Sequence, residues 1–198
     1  MMPLAMQRHL WRGCHNSSRW GMDHPFKHCS QCGATGLLAR SVREFVCPAC
    51  SFRHFVTPIP AACAILLDVQ DRLLVIRRAH EPGLGKLCLP GGVVEGGETG
   101  EEACAREVLE EVGLTVAPDE FRYLTSLPNR YLFQGFVWPT VDLFYFAKVG
   151  SFDEVRPSES EVSEWMALPL KEVPLEEFAF ASNAEAVRMF TRLYGTST

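Results

Sequence analysis

Apolar residues fall into short continuous runs that predict β-strands. Residues 61–67 form an unbroken apolar run, which predicts a strand. A second strand is predicted at residues 73–78, and the stretch 68–72 between the two predicts the turn of a β-hairpin. A shorter strand is predicted at residues 43–46, just before a pair of cysteines.

Two other segments carry apolar residues three and four positions apart, which predicts helices with one buried face. The first helix is expected from Gly100 onward, and Gly113 is expected to end it in the left-handed conformation. The second helix is predicted at residues 183–194, where it would pack on the main domain. The apolar face of the first helix is predicted to comprise Cys104, Ala105, Val108, Leu109 and Val112.

The composition is that of a globular protein with one domain and a small appendage. The chain has 198 residues, of which 47% are apolar and 22% are charged, and these values exclude a collagen, a coiled coil and a wholly disordered chain. The uncharged apolar runs are far too short to cross a membrane, so no membrane partner is expected. The net charge of −5 argues against nucleic acid as a general partner.

Residues 1–23 are expected to be a disordered tail or an over-extended start. The segment 1–22 contains three arginines, no acidic residue, and no apolar run long enough for a signal peptide. Without a secretion signal we expect a cytoplasmic protein, in which cysteines are thiols or metal ligands before they are disulfides.

Four cysteines form two C-x-x-C pairs separated by 14 residues: Cys29, Cys32, Cys47 and Cys50. Two residues between cysteines allow one tight turn to direct both sulfurs at one point, and two such turns supply the four thiolates that structural zinc accepts. The segment 24–58 resembles a zinc ribbon on this evidence. Iron in a rubredoxin-like site and disulfides are the alternatives. Because all four positions are cysteine, no ligand position is left open for a substrate.

The segment 95–111 carries seven glutamates against one arginine, so nearly all of the net negative charge lies there. Glu107, Glu110 and Glu111 occupy one face of the predicted helix. Like charges four residues apart and carboxylates near a helix C-terminus are both destabilising. The cluster therefore indicates an oxygen-ligand site for Mg²⁺ or Mn²⁺, completed by a carbonyl of the preceding glycine loop. A solvated acidic helix face is the alternative.

The segment from Gly92 to Leu114 resembles the Nudix box, G-x(5)-E-x(7)-R-E-U-x-E-E-x-G-U with U aliphatic, at every fixed position. The chain is therefore similar to a Nudix hydrolase, at residues 59–198, that carries an N-terminal zinc ribbon. The matching positions are Gly92, Glu98, Arg106, Glu107, Val108, Glu110, Glu111, Gly113 and Leu114.

This resemblance implies an α/β fold, namely an α/β/α sandwich around a mixed sheet. It also implies hydrolysis of a nucleoside diphosphate linked to another group, by attack of water on phosphorus. By position, Glu110 and Glu111 would be ligands of the catalytic Mg²⁺ or Mn²⁺, together with the carbonyl of Gly91 or Gly92. Glu107 would be a further ligand or the general base.

The resemblance assigns supporting roles to other charged residues. Arg106 would orient Glu107, and Glu98 would be mainly structural. In some family members the general base lies in a later loop, where Glu159, Glu161 and Glu164 are the candidates here. Solvation of that loop is the alternative interpretation of each.

The sequence contains signals that indicate different substrates. The motif typical of NADH pyrophosphatases with a zinc ribbon is absent, Pro128 resembles the ADP-ribose hydrolases, and Tyr131 resembles the dinucleoside-polyphosphate hydrolases. The late segment 178–182 resembles short ribbon-bearing members that act on ADP-ribose and FAD, and these two substrates are favoured. Three aromatic residues are candidates either for stacking on an adenine or for the core: Phe133, Phe136 and Trp138.

The alternative function is a catalytically silent Nudix-like module that binds or regulates, with the ribbon docking a protein or nucleic acid. The box glutamates favour the enzyme, because members without catalysis usually lose them. The sequence does not determine the oligomeric state, and a homodimer is one candidate, since dimers are common among similar proteins.

Overall fold

The structure is a computed structural model that describes residues 25–195. The chain divides into two compact units. Within the described residues, the smaller unit comprises residues 25–57 and 134–137, and the larger comprises residues 58–133 and 138–195. The predicted tail at residues 1–23 lies outside the described residues.

The smaller unit contains a three-stranded antiparallel sheet in the order β1-β2-β3. The strands are β1 (Leu38–Ala39), β2 (Glu44–Val46) and β3 (Arg53–Phe55). The strand predicted at residues 43–46 is β2. Phe45 in its middle is buried together with Cys29 and Cys47 in a small apolar core.

The larger unit contains a seven-stranded mixed sheet. Five strands follow the order β10-β5-β4-β9-β8, while β6 pairs with β5 and β7 pairs with β4. Strand β4 runs parallel to β9 and antiparallel to β5 and β7, and its pairing with β5 confirms the predicted hairpin. The strands are β4 (Ile59–Leu67), β5 (Arg72–Arg78), β6 (Leu87–Cys88), β7 (Gly91–Val93), β8 (Arg122–Phe133), β9 (Phe136–Lys148) and β10 (Val162–Pro169).

Two helices, α1 (Gly100–Val112) and α2 (Ala181–Tyr194), cover the two faces of this sheet, and short 3-10 turns occur at Pro118–Glu120, Leu170–Glu172 and Leu175–Glu177. Along β4, alternate side chains pack in two separate cores, because successive residues of a strand point to opposite faces. Leu66 lies in the core that contains α1, whereas Ile65 and Leu67 lie in the core that contains α2. The arrangement is therefore an α/β/α sandwich, as predicted. Among residues 25–195, no helix is long and apolar enough to span a membrane.

Helix α1 begins at a capping box that joins Thr99 to Glu102. The Thr99 hydroxyl accepts from the Glu102 backbone N–H at 3.2 Å, and the Glu102 carboxylate accepts from the Thr99 backbone N–H at 2.7 Å. The helix ends at Gly113, whose φ of 72° confirms the predicted left-handed cap.

The predicted apolar face of α1 was wrong in one respect. Leu109 is 52% exposed, and Glu111 is buried instead. Glu111 follows Cys104 by seven residues and Val108 by three, so the helical repeat places it on the same face as these two buried residues.

Candidate functional site

The loop before α1 approaches its neighbours closely at two glycines. Gly91 has a φ of 149°, and a Cβ there would lie 2.2 Å from the carbonyl oxygen of Ala62 on β4. A Cβ on Gly92 would lie 2.3 Å from Oε1 of Glu107 on α1. Any other residue at these positions would therefore push β7 away from β4 or displace the Glu107 carboxylate.

Glu111 is a buried carboxylate at this junction, with 8% of the residue exposed. Its Oε2 accepts a hydrogen bond of 3.0 Å from the backbone N–H of Gly91. Burial raises the pKa of Glu111 to about 8, although the Gly91 hydrogen bond lowers it. Burial also raises the pKa of Glu107. A proton or a cation is therefore needed to stabilise Glu111 in this position.

Arg106 connects the carboxylates of the box to one another. Its guanidinium donates to Glu98 at 2.7 and 3.0 Å, to Glu107 at 2.8 Å and to Glu110 at 3.2 Å. A further hydrogen bond of 3.0 Å reaches the carbonyl of Val93. The ion pair with Arg106 lowers the pKa of Glu98 to about 2. Arg106 thus fixes the position of the Glu107 side chain relative to the loop.

The structure places the three box glutamates and Gly91 on the wall of one cavity of about 600 Å³. Carboxylate oxygens and a backbone carbonyl are the ligands that Mg²⁺ and Mn²⁺ prefer, and buried Glu111 needs a compensating positive charge, so the donor set fits a divalent cation. The glutamates are not gathered as tightly as the cysteines. Among the residues that the structure describes, only the cysteine group brings three or more His, Cys, Asp or Glu ligand atoms within 4.8 Å of one another. The ion pair with Arg106 holds Glu110 in its present position.

Of the three later-loop candidates, only Glu161 lines this cavity. Its Oε2 lies 2.8 Å from Nε2 of His80, and its charge is one of the contributions that raise the pKa of Glu107 and Glu111. Glu164 instead pairs with Arg77 at 3.0 Å, and Glu159 is an exposed residue outside the cavity wall.

Aromatic side chains form another part of the cavity wall: Tyr131, Phe133, Trp138 and Phe180. The rings of Tyr131 and Phe180 are 5.8 Å apart between centroids, and Phe133 is 50% exposed. Phe133 and Trp138 thus line the cavity, whereas Phe136 packs against the core of the smaller unit. The sequence left both interpretations open for all three.

Several polar residues of the cavity were not found by sequence reasoning, among them Arg78 and His80. Asp142 is another, and its carboxylate accepts from the hydroxyls of Thr140 at 2.7 Å and Ser182 at 2.6 Å. No local motif marks these residues, since they come from β5, from the loop that follows it and from β9. The polarity of Asp142 within the apolar run 141–147 is the one available signal.

The four predicted cysteines lie together in the smaller unit. The Sγ atoms of Cys29 and Cys50 are 3.7 Å apart, and those of Cys32 and Cys47 are 3.6 Å apart. A tetrahedral zinc with Zn–S bonds of about 2.3 Å requires sulfurs about 3.8 Å apart, so this cluster fits zinc. Burial raises the pKa of the Cys47 thiol, but backbone hydrogen bonds from Cys50 and Ala49 lower it to about 7, whereas burial and the neighbouring cysteines raise the pKa of Cys50 to about 12.

Comparisons with known proteins agree with the fold and with the box of glutamates described above. The family model for the NUDIX domain matches residues 57–190. A NAD-capped RNA hydrolase, NudC, of Vibrio cholerae is 28% identical over 164 residues, which cover 81% of this chain and 56% of the relative. An ADP-ribose pyrophosphatase of Methanocaldococcus jannaschii is 38% identical over 79 residues, covering 40% of this chain and 46% of the relative.

The crystal structure of a NUDIX hydrolase from Nitrosomonas europaea is 26% identical, with a TM-score of 0.65, and covers 86% of this chain and 94% of its own. The chain spans about half the length of the curated relatives it matches.

Proposed function

The chain belongs to the NUDIX domain family, and on that premise we propose that it is a metal-dependent hydrolase of nucleoside diphosphates linked to another group. The observation that carries the proposal is the position of buried Glu111. Its carboxylate lies in a cavity with Glu107 and Glu110, at a loop that only glycine permits to come so close. A solvated acidic face does not explain a glutamate that is packed in this way.

We propose that Glu107, Glu110, Glu111 and the carbonyl of Gly91 hold Mg²⁺ or Mn²⁺. A divalent cation bound there would neutralise charge on the diphosphate and lower the pKa of bound water. Arg106 contributes by holding Glu107 in place at 2.8 Å, while its two hydrogen bonds to Glu98 anchor it to the loop.

The general base is Glu107 or Glu161 in this proposal. Both carboxylates line the cavity, so either is within the space that a bound substrate and water would occupy. The contact with His80 at 2.8 Å fixes the Glu161 side chain at the cavity wall, and this favours Glu161 over Glu159 and Glu164.

ADP-ribose and FAD are the favoured substrates, and NADH and dinucleoside polyphosphates are the alternatives. The aromatic wall of the cavity supports a substrate that contains a base, because half-exposed Phe133 presents ring surface for stacking. The archaeal relative named ADP-ribose pyrophosphatase supports ADP-ribose. The relatives named NAD-capped RNA hydrolase keep dinucleotides related to NADH among the candidates.

For the remainder of the chain we propose that residues 24–58 form a zinc ribbon with a structural role. All four ligands are cysteines, so no coordination position remains for a substrate. A cytoplasmic location and a homodimer remain predictions from the sequence.

The test is hydrolysis of ADP-ribose, FAD, NADH and diadenosine polyphosphates by the purified protein with Mg²⁺ or Mn²⁺, followed by chromatography of the products. We expect AMP from at least one of the four. Glu111→Gln should lose turnover, and its matched control is Glu101→Gln on the same helix, outside the cavity, which should retain wild-type turnover. Binding of these nucleotides without hydrolysis of any would contradict the proposal and favour the silent module.

A further inference from the structure

Two consecutive arginines on β5, Arg77 and Arg78, point to opposite faces of the sheet, as successive strand residues do. Arg77 has a full set of acceptors: Glu164 at 3.0 Å, Glu177 at 2.9 Å and the carbonyl of Gly85 at 3.0 Å. Arg78 is buried, with 8% of the residue exposed, and lines the cavity. The two arginine side chains therefore lie in different environments, one paired with carboxylates and one buried at the cavity wall.

The guanidinium of Arg78 is held in place at Nε, whereas its two outer nitrogens lack strong hydrogen-bond acceptors. Its Nε donates to the carbonyl of Pro82 at 2.7 Å, and its Cζ lies 5.3 Å from the ring centroid of Phe180. The two outer nitrogens have only weak partners, namely Nδ1 of His80 at 3.4 Å from Nη2 and the Cys88 sulfur at 4.0 Å from Nη1. Within residues 25–195, no carboxylate forms an ion pair with Arg78. This holds although five carboxylate side chains line the same cavity: Glu107, Glu110, Glu111, Glu161 and Asp142.

A buried charge without an ion pair is costly, and a guanidinium whose two outer nitrogens have only long, weak contacts is suited to bidentate binding of phosphate. We propose that Arg78 is a substrate-binding residue that donates hydrogen bonds from Nη1 and Nη2 to a phosphate of the diphosphate. This inference rests on the proposed function, since it concerns the same cavity. The Pro82 hydrogen bond and the Phe180 ring orient the guanidinium before a ligand arrives, so little side-chain freedom is lost on binding.

A purely structural alternative is that Arg78 only balances the charge of nearby Glu111. The two roles differ in one respect. A residue that binds phosphate through its fork weakens AMP binding when lysine replaces it, whereas lysine preserves the effect of a residue that only balances charge. AMP and adenosine are suitable probes, because ADP-ribose, FAD and NADH all contain an adenosine 5′-phosphate half.

The experiment is calorimetric titration of AMP and adenosine into the full chain in buffer freed of Mg²⁺ and Mn²⁺ beforehand by a chelating resin, so that no catalytic cation contributes and the zinc of the ribbon stays bound. The wild type should bind AMP more tightly than adenosine. Arg78→Met should weaken AMP binding by about 10- to 100-fold, as expected for charge-assisted hydrogen bonds, and leave adenosine binding unchanged. Arg78→Lys keeps the charge but not the fork, so we expect a smaller loss, of about three-fold. Arg77→Met is the matched control and should not alter the AMP affinity.

Circular dichroism of each variant checks the fold, and Arg78→Lys carries the test if Arg78→Met does not fold. Equal wild-type affinities for AMP and adenosine, a parallel loss of both in the folded Arg78 variant, or a wild-type AMP affinity in Arg78→Lys would overturn the proposal. Failure of the proposed function gives a different result, namely a wild type that hydrolyses no nucleotide with Mg²⁺ or Mn²⁺.

Discussion

Replacing Glu111 by glutamine should make the metal-free protein more resistant to alkaline pH. Glu111 is buried in the folded chain, and its pKa rises there from 4.5 to about 8. Because the folded state binds the proton more tightly, the stability contributed by protonated Glu111 is fully present below about pH 4.5. It is lost as the pH rises through about 8. Glutamine has nearly the same shape and stays neutral throughout, so it removes this dependence.

The size of the effect follows from the two pKa values. At about 1.36 kcal/mol per pKa unit, ionisation of Glu111 destabilises the folded state by about 1 kcal/mol at pH 5 and by about 4 kcal/mol at pH 8. The free energy of unfolding of Glu111→Gln relative to wild type should therefore increase by about 3 kcal/mol between these pH values. For a domain of this size that difference corresponds to about 10 °C in the unfolding midpoint.

The assay is thermal and urea unfolding of the two proteins in EDTA between pH 5 and 8, with Glu101→Gln as control. Other titrating groups cancel in the difference between wild type and variant. Adding Mn²⁺ should narrow the difference at pH 8, since a ligand at 100 times its Kd stabilises the wild type by about 2.7 kcal/mol. A stability difference that does not change with pH would refute the reasoning from burial of Glu111.

Three further predictions concern the zinc cluster, the glycine loop and the base. Purified protein should contain about one zinc per chain by elemental analysis, and Cys47→Ser should lose it while hydrolysis continues, because ribbon folding is coupled to the metal. Gly92→Ala displaces the Glu107 carboxylate, since the added Cβ would lie 2.3 Å from its Oε1, and a shift of about 1 Å costs about 100-fold in turnover. Gly96→Ala, whose Cβ meets nothing within 4 Å, is its control in the same kinetic assay. Glu161→Gln should lower kcat by about 10²- to 10⁴-fold if Glu161 is the base, whereas Glu164→Gln should leave kcat unchanged.

The strands and helices that form the centre of the fold could be predicted because their signals are local. The run 61–67 was correctly interpreted as a strand, and Gly113 correctly ended α1. The exposed position of Leu109 could not be predicted from spacing alone. Apolar residues occur on two sides of α1, and only the packed sheet decides which side is buried.

The residues that line the cavity also fall into a group that a local sequence signal predicts and a group that no local signal predicts. The glutamates of the box follow from one short motif, so the sequence located them together. Arg78, His80 and Asp142 reach the same cavity from β5, from the loop that follows it and from β9, and no spacing in the sequence connects them. The choice of Glu161 among three neighbouring glutamates likewise depended on the strand pairing of β10 with β5, which directs Glu164 to Arg77.

The most direct test of metal-dependent diphosphate hydrolysis is the rate of AMP release from ADP-ribose as Mn²⁺ is titrated, for the wild type, Glu110→Gln and Glu111→Gln. Glutamine keeps the size of the side chain and removes the charge that binds the cation. We expect the wild type to be inactive in EDTA and to gain activity with Mn²⁺, and both variants to lose turnover by orders of magnitude at limiting metal. Near-wild-type turnover of either variant at limiting Mn²⁺, or wild-type hydrolysis that persists in EDTA, would contradict this assignment.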